Sequence, residues 1–139
     1  VYSRYGSNFL LTMQRLLQER ATLSVVADQI GAPTWAGTIA QATCQMIEQL
    51  RSGQTDAWGL YHLTAQGHTS WYGFASAIAE HLAGQGKPVA TLKPIASSDY
   101  PTAAHRPLNS RLDCSRLQHA WQLQLPTWQA ALATCLAAE

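Results

Sequence analysis

Arg106 stands immediately before Pro107. A residue that precedes proline is pushed toward extended backbone, and the arginine guanidinium is a planar fork suited to paired phosphate oxygens. A diphosphate is the natural partner for such a group, although a surface ion pair with Asp99 or Asp113 would use the same fork. Arg111 and Arg116 follow within the same eleven residues, which allows a local anion site. Asn8 is the second candidate. Placed at a helix start, its amide can either cap free backbone N–H groups or join them in meeting an anion, since that end of a helix carries the positive end of the dipole.

Other chemistry is poorly supplied. The five histidines include no pair at i and i+4 and no carboxylate grouping with metal spacing, so no metal is assigned. Cys44, Cys114 and Cys135 are odd in number, widely spaced and free of Cys-x-x-Cys pairing, which reads as reduced, partly buried thiols rather than a disulfide framework or a nucleophile.

These residues need elements to hold them. Ser7 or Asn8 can cap a helix in which Phe9, Leu10, Met13, Leu16 and Leu17 recur at helical spacing up to Glu19-Arg20. Leu23 to Val26 is rich in β-formers and suits a short buried strand. Asp28 to Thr34 then reads as a shaped connector: Gly31 can take a positive φ, and Pro33 restricts itself and Ala32. A long helix follows from about Ala36 to Leu50, with Ile39, Ala40, Thr43, Cys44, Ile47 and Leu50 on one stripe, ended by Ser52-Gly53. Trp58 to Leu63 reads as a strand. Thr69 or Ser70 caps a helix burying Phe74, Ala75, Ile78 and Leu82, and Gly84 to Pro88 breaks it. Val89 to Ile95 is the next strand, and Ala96 to Asn109 an ordered, proline-bearing loop. Asp113 caps a short helix to about Trp121, and Thr127 caps the last, with Trp128, Ala131, Leu132 and Leu136 inward.

With 139 residues, 47% hydrophobic content and a formal charge of +1, the chain can bury a core as one compact α/β unit and presents no basic face for nucleic acid or anionic membrane. No apolar run approaches the roughly 18 residues of a membrane span, and the start lacks a secretory pattern, so a cytoplasmic location is expected. The opening at Val1-Tyr2, without an initiator Met and on what reads as a strand end, leads to the expectation of a longer parent chain.

Taken in order, Val1-Tyr2, Asn8-Phe9, Asp28 to Thr34, Tyr61-His62-Leu63, Thr69-Ser70-Trp71, Tyr100-Pro101-Thr102, His105 to Asp113 and Leu125-Pro126-Thr127-Trp128 resemble the C-terminal part of dTDP-4-dehydrorhamnose reductase, an extended short-chain dehydrogenase/reductase. The resemblance implies a helix-rich α/β fold with a few short strands, acting over residues 1–139 as a nucleotide-sugar-binding portion whose dinucleotide-binding half lies upstream. It implies reduction of dTDP-4-dehydro-L-rhamnose to dTDP-L-rhamnose with NADPH or NADH, for rhamnose and lipopolysaccharide precursors. It places Arg106 and Asn8 near the nucleotide diphosphate, sets Val25, Val26, Asp28 and Gln29 as a wall around base and ribose, and adds Asn109 to the substrate contacts. Asp28 and Gln29 could bond a pyrimidine's edge, or simply form a turn.

No catalytic residue is expected here, because the chain has neither Gly-x-Gly-x-x-Gly nor Tyr-x-x-x-Lys, the family's dinucleotide turn and proton-donor pair. Some relatives dimerise through a divalent ion held by glutamates, and the matching positions here, Gly37 and Ala138, cannot ligate. The missing half is expected to pack on the second helix and the Trp58 to Leu63 strand, so the isolated piece is expected to self-associate. A related regulatory subunit of methionine adenosyltransferase makes a non-catalytic binding or regulatory role the alternative.

Overall fold

The computed structural model describes residues 1–53, 57–102, 104 and 106–137. His105 and Ala138 from the stretches above therefore lie outside the described residues. In place of the one compact unit expected from composition, the contacts form two: residues 2–31 with 68–111, and residues 32–67 with 112–139 plus Val1.

The first unit is built on two helices and a small sheet. Helix α1 (Phe9–Glu19) buries Leu10, Met13 and Leu17, three positions that share one face at helical spacing. Helix α3 (Trp71–Gly84) buries Phe74, Ala75, Ile78 and Leu82, and Ser70 caps it by accepting a hydrogen bond from the Gly73 N–H at 3.0 Å. The two helices meet through aromatic rings, with Phe74 5.0 Å from Tyr2 and 5.8 Å from Phe9. Strands β1 (Thr22–Val26) and β4 (Thr91–Ile95) pair in parallel, from Thr22 opposite Thr91 to Val26 opposite Ile95. Pro94 has no N–H for a ladder, and β4 accordingly has β1 as its only partner among the described residues.

The connector departs from expectation. Ile30–Gly31 is a short strand, β2, antiparallel to β3 (Thr69–Ser70), and Ile30 also bridges Asn109 on its other side. Gly31 does not use a positive φ. What it supplies is the missing side chain, since a Cβ there would lie 2.7 Å from Ser110 Oγ.

The second unit contains α2 (Ala36–Arg51), α4 (Ser115–Trp121) and α5 (Trp128–Ala137). Leu117, Trp121 and Leu123 form a core cluster joined by Met46, Leu50, Tyr61 and Leu63. Trp128, Ala131, Leu132, Cys135 and Leu136 bury the inner face of α5. Thr127 Oγ1 accepts from the Ala130 N–H at 3.3 Å, as its capping role requires. The cap of α4 is shifted by one residue: Asp113 Oδ1 accepts from Ser115 N–H at 2.8 Å while Cys114 occupies the boundary position. Buried Thr34 donates to Ala32 O and accepts from Ala65 N–H, which satisfies a polar group that would otherwise be costly inside.

Two expectations for this unit are corrected. Helix α2 forms, but the residues it buries are Thr38 and Ala42, while Ala40, Thr43, Cys44 and Ile47 are exposed, Ile47 at 50%. Its apolar stripe is therefore covered only in part: Leu50 packs on the core cluster, while the stretch from Ala40 to Ile47 leaves its stripe residues exposed. Trp58 to Leu63 forms no strand, and Trp58 and Leu60 stand 76% and 77% exposed while Tyr61 and Leu63 pack inward. The alternation is strand-like, yet no described segment pairs with it, and an extended segment without a ladder partner is not a strand.

Candidate functional site

Every candidate ligand-binding residue falls in the first unit: Asn8, Val26, Asp28, Gln29, Arg106 and Asn109. The central piece is β2 and the residues just before it. Ile30 N–H donates to Leu108 O at 2.8 Å and Ser110 N–H donates to Ile30 O at 2.9 Å, so the segment after Arg106 is pinned to the segment after Asp28. On the far side β2 meets the residues that start α3.

Around this ladder the side chains form one directed chain of hydrogen bonds. The indole Nε1 of Trp71 can only donate, so it fixes Gln29 with its oxygen toward Trp71, at 3.2 Å. The Gln29 amide nitrogen then faces Ser97 Oγ at 2.9 Å, and the Ser97 hydroxyl donates to Asp28 Oδ1 at 2.6 Å. The Ser97 backbone N–H also lies 3.0 Å from each oxygen of the same carboxylate. These bonds to Ser97 hold the Asp28 carboxyl below its ordinary value of 3.8. Trp71 is further held by Phe9, its ring centroid 4.8 Å away. Trp71 and Ser97 carry no sequence signal for this role, because their partners lie 42 and 68 residues away along the chain.

The structure distributes the six residues unevenly. Val26 is buried at the covered end of β1, where it is part of the core. The Asn8 oxygen accepts from Leu11 N–H at 3.3 Å and its amide nitrogen donates to Ser3 O and Tyr5 O, so both ends are engaged in capping α1 and closing the preceding turn. Gln29 keeps one N–H and one lone pair beyond the chain just described. Asn109 Oδ1 accepts from both the N–H and the Nε of Arg111, at 3.1 and 3.0 Å, while its Nδ2 has no partner among the described residues.

Arg106 is exposed and makes no ion pair or hydrogen bond with a described residue. Neither Asp99 nor Asp113 pairs with it: the ion pair among the described residues is Arg15 with Glu19. The expected group of three arginines divides. Arg111 stays with Arg106, whereas Arg116 belongs to the other unit, where it donates to Leu60 O at 3.0 Å and lies 4.8 Å from the centre of the Tyr61 ring. In the same unit Ser115 holds the Asp113 carboxyl below its ordinary value, with smaller contributions from His62 and His119. Among the described residues no group of three or more His, Cys, Asp or Glu could hold a metal ion, and no helix is long and apolar enough to cross a membrane.

Fold and site define the class as a helix-rich α/β substrate-binding portion, and solved structures match it. A dTDP-4-dehydrorhamnose reductase from Bacillus anthracis in complex with NADP is similar at a TM-score of 0.83 and 33% identity, over 99% of this chain and 46% of that one. Another from Clostridium acetobutylicum is similar at a TM-score of 0.78 and 27% identity, over 96% of this chain and 44% of that one. The chain belongs to the RmlD substrate binding domain family, whose profile matches residues 1–139. Relatives named dTDP-4-dehydrorhamnose reductase include one from Aggregatibacter actinomycetemcomitans, 44% identical over 94% of this chain and 45% of its own length. One from Escherichia coli K12 is 41% identical over 98% of this chain and 46% of its own length. The chain thus spans less than half the length of these relatives.

Proposed function

We propose that this chain is the C-terminal, nucleotide-sugar-binding portion of a dTDP-4-dehydrorhamnose reductase, a cytoplasmic enzyme that reduces dTDP-4-dehydro-L-rhamnose to dTDP-L-rhamnose with NADPH or NADH. The observation that carries the reading is identity of 44% over nearly the whole chain to a relative of that name, of which the chain covers 45%. The site is consistent with it: an exposed arginine two residues before the ladder contact at Leu108, without a carboxylate partner among the described residues, suits a diphosphate. Arg106 and the open amide of Asn109 face the ligand in this reading. Asn8, Asp28 and Gln29 frame the site, and Val26 supports it from the core.

The chain's own residues bind and orient the substrate. The dinucleotide turn and the Tyr-x-x-x-Lys pair belong to the upstream half, where the nicotinamide supplies hydride when bound. The diphosphate anchor holds the substrate alike in the bound state and in the transition state, so it sets affinity rather than the rate of the chemical step.

The isolated chain is therefore expected not to oxidise NADPH or NADH in the presence of the keto sugar, while the full-length protein does. Loss of nicotinamide absorbance separates the two. Turnover by the purified chain alone would overturn the division of labour, and inactivity of the full-length protein would overturn the assignment as a reductase.

A further inference from the structure

Arg111 has no assigned role, yet its geometry is unusual for an exposed arginine. Long surface side chains ordinarily sample many rotamers, and fixing one costs entropy. Here one acceptor, Asn109 Oδ1, holds both the Arg111 backbone N–H and its Nε, at 3.1 and 3.0 Å. That acceptor is itself placed by the ladder, since Leu108 and Ser110 flank it and both bond Ile30. The elbow of the side chain is thus tied to β2, while its two terminal nitrogens have no hydrogen-bond acceptor among the described residues. Asp28, a carboxylate of the same unit, is engaged by Ser97. Five residues earlier stands a second exposed arginine without a carboxylate partner among the described residues, Arg106. Two exposed arginines five residues apart on one segment are each stabilised when an anion is bound beside them.

We propose that Arg111 is a second diphosphate-binding residue, its terminal nitrogens presented to phosphate oxygen by Asn109, which acts as a positioning residue. This rests on the reading of the chain as a nucleotide-diphosphate binder. It separates two functions at Asn109: the oxygen orients Arg111, and the amide nitrogen is left for the ligand.

Titration calorimetry of the full-length protein with dTDP, and with thymidine as the probe lacking phosphate, tests it. Arg111→Ala is expected to weaken dTDP about 10-fold or more and leave thymidine within about twofold, with Arg111→Lys recovering part of the loss. Asn109→Ala is expected to weaken dTDP, and the double variant to lose less affinity than the two single losses added together, because one residue acts through the other; full additivity would overturn the positioning role of Asn109. Thermal unfolding midpoints within a few degrees of wild type confirm that the variants are folded. If Arg106→Ala weakens dTDP while Arg111→Ala leaves it unchanged, the proposal is overturned and the broader reading stands. Equal losses for dTDP and thymidine in Arg111→Ala, which mark an effect on the fold, also overturn it. Failure of the wild-type protein to bind dTDP overturns both readings.

Discussion

Asp28 shows how a single side chain connects the fold to the site. Its carboxylate ends the chain that starts at Trp71 and passes through Gln29 and Ser97, so every donor in that chain points toward one negative charge. A carboxyl whose value in the folded state lies below that in the unfolded state adds stability above the unfolded value and loses it as pH falls through the folded one. The Ser97 bonds lower the Asp28 value from 3.8, so its contribution is complete near neutral pH and disappears in acid below about 4. Asp28→Asn is therefore expected to be less stable than wild type at pH 7 and to approach it as the pH falls through the lowered folded-state value. Denaturant unfolding at a series of pH values measures the difference, and a gap independent of pH would show that the carboxylate charge is immaterial. The type and position of Asp28 were legible in the sequence. Its partner was not, because Ser97 is 69 residues away and only the folded backbone brings the two together.

At the scale of elements, what the sequence reveals depends on where each face finds its cover. The buried positions of α3 follow the periodicity residue for residue, because α1 and the sheet in its own unit cover that face. The stripe of α2 is equally periodic and yet largely exposed at Ala40, Thr43, Cys44 and Ile47, since periodicity identifies an apolar face without identifying what covers it. Trp58 to Leu63 likewise has strand-like alternation without a ladder partner among the described residues. Phe74→Ala, in the centre of the first unit at 2% exposure, is expected to cost about 3–5 kcal/mol. Ile47→Lys, on the exposed face of α2, is expected to change stability by no more than about 0.5 kcal/mol and to reduce self-association of the isolated chain. Equilibrium unfolding and sedimentation read the two effects. A large loss of stability in Ile47→Lys would show that α2 is packed through that face.

At the scale of the molecule, two units divide the work. The unit of residues 2–31 and 68–111 carries all six candidate residues together with Arg111, and of these Asn109 bridges Ile30 in a ladder only a few residues long. The other carries the exposed residues of α2 together with the exposed Trp58 and Leu60. In the proposed function this chain supplies substrate affinity through Arg106. A charged hydrogen bond to phosphate contributes about 1.5–3 kcal/mol, and its loss acts alike on bound substrate and transition state, so KM should rise while kcat stays nearly constant. Steady-state kinetics of the full-length protein with Arg106→Ala test this most directly. A KM for the dTDP-sugar roughly 10- to 150-fold above wild type is predicted, and a KM within about twofold of wild type, as a surface arginine would give, would contradict it.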